Sequence, residues 1–190
     1  MKPFEYLSAF LVLFQVVTMS ELTLGLAYAL NGWSNTQFYP LHSLVVFIGY
    51  IGTMDIVIRM FYFKKIKVWN FWKFALGIVP GVCLLMIAKL LFPEIDPPES
   101  YDFEQVFLRN RSFIFHLTSL YLILISMPYV ILFKTKTWIQ NYVLWIMAIL
   151  YIVTNYAEAQ WLDYSSLVCG IIIIISMNLI RPPKLKEESR

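Results

Sequence analysis

The sequence predicts an all-α integral membrane protein: a bundle of six transmembrane helices with both termini in the cytoplasm. Three observations support this fold class. Hydrophobic residues make up 59% of the chain and charged residues only 14%, whereas about a quarter of the residues of an ordinary globular domain are charged. The sequence contains six apolar blocks, each close to the length of about twenty residues that crosses a hydrocarbon layer. Lysine and arginine, finally, are concentrated in alternate loops.

The six blocks are predicted to be helices because they are continuously apolar and do not alternate as the strands of a membrane barrel would. The first block lacks the cleavage site of a secretory signal, so we expect it to be retained as a span. Together the blocks form one predicted membrane domain, residues 1–180, with spans at 4–30, 41–63, 74–92, 112–133, 138–154 and 161–180.

The distribution of positive charge predicts the orientation. Most lysines and arginines lie before the first span, between spans two and three, between spans four and five, and after the sixth, whereas Arg109 and Arg111 are exceptions at the end of the acidic loop. Cytoplasmic loops carry such an excess, which predicts the inner (plasma) membrane with both termini inside. Residues 93–111 then form an extracytoplasmic acidic cap, and residues 181–190 a disordered basic cytoplasmic tail. For the net charge of +3 we expect the lipid bilayer, with its anionic surface, as the partner, and no nucleic acid.

Span one carries polar residues on one helical stripe, Ser8, Gln15, Thr18 and Glu21. A polar stripe within a span should face protein, and the carboxyl group of Glu21 should have a partner there.

Span two contains two patterns with structural meaning. Asp55 and Arg59 are four residues apart, a spacing that places both on one helical face and predicts a structural ion pair. Gly49 and Gly52 predict a close approach of another helix, which would suit self-association.

Prolines end span three, and a helix is predicted to start soon afterwards. Pro97 and Pro98 are followed by Ser100, a plausible N-cap. Apolar residues then recur near helical spacing from Tyr101 onwards, so an amphipathic lead-in should run through 109–111 into span four.

Three pieces of the sequence resemble a group of small, uncharacterised bacterial multi-pass membrane proteins. They are F-E-Y-x-S at Phe4 to Ser8, a polar residue with Leu and a G-L pair at Glu21 to Leu26, and L-F-P followed by acidic residues and F-x-R-N-R between Leu91 and Arg111. The resemblance covers residues 4–116. It implies the multi-pass topology and no activity, and the similar sequences often have His at the position of Glu21.

The topology places six polar residues in the outer half of the membrane or at its rim: Glu21, His42, Lys89, Arg109, Arg111 and His116. These include both histidines of the chain. They are the candidate ligand-binding residues of a polar pocket open to the extracytoplasmic side and covered by the acidic cap. The alternative is that each histidine is a satisfied packing or interface residue.

Several functions are compatible with these residues. The first expectation is a structural or sensing module that associates with itself or with another membrane subunit, without cofactor and without catalysis. The alternative is binding or transport of a small ligand or ion through the pocket. Less favoured are a metal site on Glu21, His42 and His116, a haem held by the two histidines, and lipid acyl transfer by Ser43 or Thr118 with a histidine base.

Overall fold

The computed structural model describes residues 3–31, 36–64, 66, 69–92, 101–132, 138–157 and 159–179. Apart from one pair of two-residue strands, the regular structure in these ranges is helical. The helices are α1 (Pro3–Asn31), α2 (Pro40–Phe63), α3 (Phe71–Leu91), α4 (Phe103–Leu132), α5 (Trp138–Ala157) and α6 (Gln160–Leu179), and the strands are β1 (Thr36–Gln37) and β2 (Tyr101–Asp102).

Three of the helices in the described ranges are both long enough and apolar enough to cross a membrane. They are Pro3–Asn31, Pro40–Met60 and Phe71–Leu91. The apolar stretches Asn141–Ala157 and Gln160–Ser176 are shorter. The all-helical prediction is therefore confirmed at the level of six helices with three candidate spans.

Helix α4 begins well before the predicted span. Its first residue is Phe103, and it continues without a break into the span predicted from residue 112, so the predicted amphipathic lead-in is confirmed. Phe103 and Phe107 are buried on its inner side. The side chain of Asp102 accepts a hydrogen bond from the backbone N–H of Gln105 at 3.0 Å, which is the N-cap interaction expected of Ser100. Ser100, with the rest of 93–100 and the tail 181–190, lies outside the described residues.

Helix α2 is the centre of the bundle, since it packs against α1, α3, α4 and α6. Helix α4 packs between α3 and α5, α1 lies on α2 and α3, and α6 closes against α5 and α2. Successive helices run in alternating directions. Consequently the C-terminal ends of α1, α3 and α5 meet the N-terminal ends of α2, α4 and α6.

The two short strands mark that end of the bundle. β1 and β2 are parallel, with Thr36 opposite Tyr101 and Gln37 opposite Asp102. They join the segment before α2 to the segment before α4. We call this the β end of the bundle, and the opposite end, where α2 finishes and α3 begins, the basic end.

The two glycines of span two serve contacts inside the chain. A Cβ atom at Gly49 would lie 3.0 Å from the side chain of Leu22 in α1, and one at Gly52 would lie 3.1 Å from Leu84 in α3. Both glycines are thus used to bring α1 and α3 close to α2. The expectation that they form a surface for self-association is wrong, because that surface is already covered.

Helix α1 packs against the bundle through a stripe of buried residues at heptad-like spacing. The stripe includes Gln15 and Thr18, as predicted. Ser8 instead donates to the carbonyl of Glu5 within its own helix. The opposite side of α1 exposes large apolar side chains such as Phe10, Leu13 and Leu24.

Candidate functional site: the polar contacts of the β end

Glu21 and Lys89 form an ion pair between α1 and α3. The carboxylate Oε1 lies 2.8 Å from Nζ, and the two side chains are 24% and 39% exposed. Glu21 therefore has the partner that its position requires. Lys89 is the basic residue in the last turn of α3, where a cation also interacts favourably with the helix dipole.

Asn110 and Arg111 are neighbours in α4 that bind the ends of two different helices. The Asn110 amide donates to the Leu90 carbonyl in the last turn of α3 at 2.9 Å. Arg111 donates to the carbonyls of Thr154 and Asn155 in the last turns of α5, at 2.9 Å and 3.0 Å. These carbonyls have no partners within their own helices, so α4 caps both neighbours.

Arg111 also forms a two-pronged ion pair with α6. Its Nε and Nη2 donate to the two carboxylate oxygens of Asp163 at 2.8 Å and 2.7 Å. The Asp163 side chain is 4% exposed and that of Arg111 14%. Arg111 was expected to bind a ligand in the polar pocket, but these hydrogen bonds are made with α5 and α6 and join both helices to α4.

His42 is enclosed by aromatic rings. Its ring stacks on Phe103 with centroids 4.2 Å apart and meets the edge of Phe92 at 5.1 Å. Nε2 lies 3.0 Å from the Leu91 carbonyl; since a carbonyl only accepts, Nε2 carries the proton. His42 is thus a second cap on the end of α3, beside Asn110.

His116 and Arg109, by contrast, are exposed. The Nδ1 of His116 donates to the Ser112 carbonyl at 2.7 Å, and its ring meets Tyr156 of α5 edge-on at 6.3 Å. The contacts of His116 are therefore on α4 and α5, whereas those of the buried His42 are on α3 and the start of α4.

Among these six predicted residues, the contacts described above join Glu21 to Lys89, whereas those of His42, Arg111 and His116 are made with other residues. Among the described residues no group of three His, Cys, Asp or Glu side chains could hold a metal ion, so Glu21, His42 and His116 are not assembled as ligands. Of the proposed nucleophiles, Ser43 donates to the Tyr39 carbonyl and Thr118 to the Ile114 carbonyl, each within one turn.

The sequence pattern at Asp55 and Arg59 corresponds to an ion pair in the structure. The Nε of Arg59 donates to Oδ2 of Asp55, whose side chain is fully buried. Two contacts that the sequence did not indicate join it to α4: the Tyr121 hydroxyl lies 3.3 Å from the same Oδ2, and Arg59 reaches the Ile125 carbonyl at 3.4 Å. Oδ1 of Asp55 is a buried oxygen with no hydrogen-bond partner among the described residues.

Tyr39 links the start of α2 to the start of α6. Its hydroxyl accepts a hydrogen bond from the Gln160 amide at 2.9 Å, and its ring packs against Phe107 at 5.5 Å. Burial raises the pKa of the Tyr39 phenol, and the Gln160 hydrogen bond offsets part of that shift.

These features define a helical bundle whose candidate spans are tied together by polar contacts at one end. Comparison with protein-family models, curated proteins and solved structures gave no match to this chain.

Proposed function

We propose that the chain is a six-span integral membrane protein of the inner (plasma) membrane with both termini cytoplasmic, and that it works as a structural or sensing module assembled with a second copy of itself. The apolar side chains exposed on α1, α2, α5 and α6 support the membrane assignment. The burial of charged residues supports it as well, because Asp55, Arg59 and Asp163 lie inside the bundle and not on its apolar outer surface.

One surface carries the proposal of self-association. His116 is exposed on α4 and contacts Tyr156 on α5, and large exposed apolar side chains continue the same faces of both helices. We call this the association face, defined by Phe113, His116, Leu120, Ile149, Val153 and Tyr156.

The association face is unusual for a lipid-facing surface because it includes an imidazole inside a predicted span. His116 lies five residues beyond Arg111, about 7.5 Å further along the helix. Polar side chains at such depths almost always face protein. A second copy would cover the ring and supply a donor to Nε2, which is left as an acceptor when Nδ1 donates to Ser112.

Disulfide cross-linking in native membranes tests this face. Cys169 is exposed and Cys83 buried, so Cys169→Ser gives a suitable background. In that background Leu120→Cys should yield a cross-linked dimer, whereas the matched variant Leu24→Cys, on the exposed side of α1, should not. A monomer in mild detergent together with no cross-link at Leu120→Cys would refute self-association.

Thiol labelling of intact cells tests the orientation separately. Gln37→Cys lies at the β end and Lys64→Cys at the basic end, and both positions are exposed. An impermeant maleimide should modify Gln37→Cys from outside and Lys64→Cys only after permeabilisation. The reverse pattern would overturn the proposed orientation.

A further inference from the structure

Two polar groups on the association face are complementary to each other. The Nδ1 of His116 donates to the Ser112 carbonyl at 2.7 Å, so Nε2 carries a lone pair and can only accept. The Tyr156 side chain is 74% exposed, and its ring meets the His116 ring edge-on. Within the described ranges, neither Nε2 nor the Tyr156 hydroxyl has a hydrogen-bond partner. One chain therefore presents an acceptor and a donor side by side without joining them.

The other donors near the imidazole are less well placed. The Ser112 hydroxyl is engaged within the chain, because Oγ accepts from the Asn155 amide at 3.2 Å and lies 3.5 Å from Nδ1 of His116. Arg109 lies seven residues before His116, about 10.5 Å further towards the β end. Tyr156 is thus the donor at the level of the imidazole.

A second copy of the chain can satisfy both groups at once. In a two-fold interface both copies use the same surface, so each contact occurs twice. If the hydroxyl of one copy reaches Nε2 of the other, the reverse bond forms as well. A different membrane subunit would need its own acceptor and its own donor at the same depth, whereas a second copy already carries both.

We propose that two copies form a closed dimer in which the Tyr156 hydroxyl of each copy donates to Nε2 of His116 in the other. The exposed apolar side chains of Phe113 and Val153 flank these two bonds. Because both copies use the same face, association ends at two. This inference rests on the proposed self-association, to which it adds the bonds, the symmetry and the number of copies.

A complementation experiment in native membranes tests the bonds. One copy carries Tyr156→Phe and a differently tagged copy carries His116→Phe, both with Cys169→Ser and Leu120→Cys. Each homodimer lacks both bonds, whereas the heterodimer keeps one. The effects of each substitution on packing cancel, since the three dimers form a double-mutant cycle.

The expected change follows from the strength of one bond. A hydrogen bond between helices in a membrane changes an association constant roughly threefold. With equal expression of the two copies, random pairing makes half of the cross-linked dimers heterodimers. The heterodimer should instead account for about three quarters of them.

A matched pair identifies the donor. When Ser112→Ala replaces Tyr156→Phe in the first copy, the heterodimer should stay at half. Enrichment with Ser112→Ala and none with Tyr156→Phe would make Ser112 the donor and overturn the proposal.

The number of copies is tested with His116 and Tyr156 both intact. A chain with Leu120→Cys and Ile149→Cys, in the Cys169→Ser background, carries two thiols on the association face. Oxidation should yield a dimer and no larger species. A ladder of larger species would refute the closed dimer.

The outcomes separate this inference from self-association itself. Cross-linked dimers in every variant, with the heterodimer at half in both pairs, would overturn the reciprocal bonds and leave self-association intact. If Leu120→Cys gives no cross-link even with His116 and Tyr156 unchanged, self-association fails, and the reciprocal bonds fail with it.

Discussion

The buried ion pair of Asp55 and Arg59 should contribute to stability, and its burial sets how much free energy of unfolding is lost when one partner is removed. The Asp55 side chain is fully buried and that of Arg59 is 11% exposed. Removing one partner of a buried pair leaves an uncompensated charge and typically costs about 3–5 kcal/mol. For a protein of this size, such a loss corresponds to a fall of roughly 10 °C in melting temperature.

The two single variants should differ in a defined order. In Asp55→Ala the remaining arginine is four residues, or about 6 Å, from the end of α2 at Phe63. Its long side chain can extend towards the headgroups and recover part of the loss. The carboxylate that remains in Arg59→Ala has no such reach, so we expect a loss near 5 kcal/mol there and near 3 kcal/mol in Asp55→Ala.

The double variant Asp55→Leu with Arg59→Met completes the comparison. It replaces the pair by apolar side chains of similar volume, and its stability should return to within about 1 kcal/mol of the original. Tyr121→Phe is the control for the hydroxyl that contacts the pair and should cost about 1 kcal/mol.

Thermal unfolding can be followed with a thiol-reactive dye. In the Cys169→Ser background the dye reports on Cys83, which is buried until the bundle opens. A loss below about 1 kcal/mol in both single variants, or a double variant no more stable than the singles, would refute the account of a buried, mutually neutralised pair.

Three further predictions concern the β end and are checked by the same unfolding assay. Arg111→Lys should lower the free energy of unfolding by about 2 kcal/mol, because lysine keeps the charge but cannot make the two-pronged contact. Arg109→Lys, at an exposed position two residues earlier, should leave stability unchanged. Equal effects of the two variants would contradict the capping role of Arg111. Gly25→Ala should cost about 2 kcal/mol, since its Cβ would meet the Phe92 ring, and Phe92→Ala in the same chain should remove that conflict. Tyr39 has a raised pKa in the folded protein. Its contribution to the free energy of unfolding is therefore fully present below about pH 10 and is lost as the pH rises through the raised pKa. Tyr39→Phe should reduce this alkaline decline in stability, and an unchanged decline would exclude Tyr39 as its source.

The sequence predicted the positions of the helices along the chain better than it predicted which side of each helix packs against its neighbours. Long apolar runs indicate spans from length alone, and the polar stripe correctly indicated that Gln15 and Thr18 are buried. The amphipathic lead-in to α4 was predictable to within a few residues from the prolines and from the helical spacing of Phe103 and Phe107, although hydropathy alone placed the span only from residue 112. The ion pair of Asp55 and Arg59 needs only the local spacing of one helix, and so it was predictable.

The rotational placement of the outer residues could not be obtained in the same way. Helices that are apolar nearly all round give no periodic signal for which side faces a neighbour. Topology could bring Glu21 and Lys89 to the same end, but it could not show that His42 points inward and His116 outward. Nor could it show that Arg111 meets Asp163, since that contact joins residues 52 positions apart.

The capping contacts of α4 also constrain the order in which the chain can be assembled. As the chain is synthesised from its N-terminus, Asn110 emerges after the α3 carbonyl that it binds, so this contact can form as soon as the fourth helix is made. Arg111 must wait for Thr154, Asn155 and Asp163, which are synthesised later. Until those residues are made, the guanidinium group has to stay hydrated, because burying an unpaired charge is costly. The hydrogen bonds of Arg111 to α5 and α6 therefore form last, and they complete the bundle.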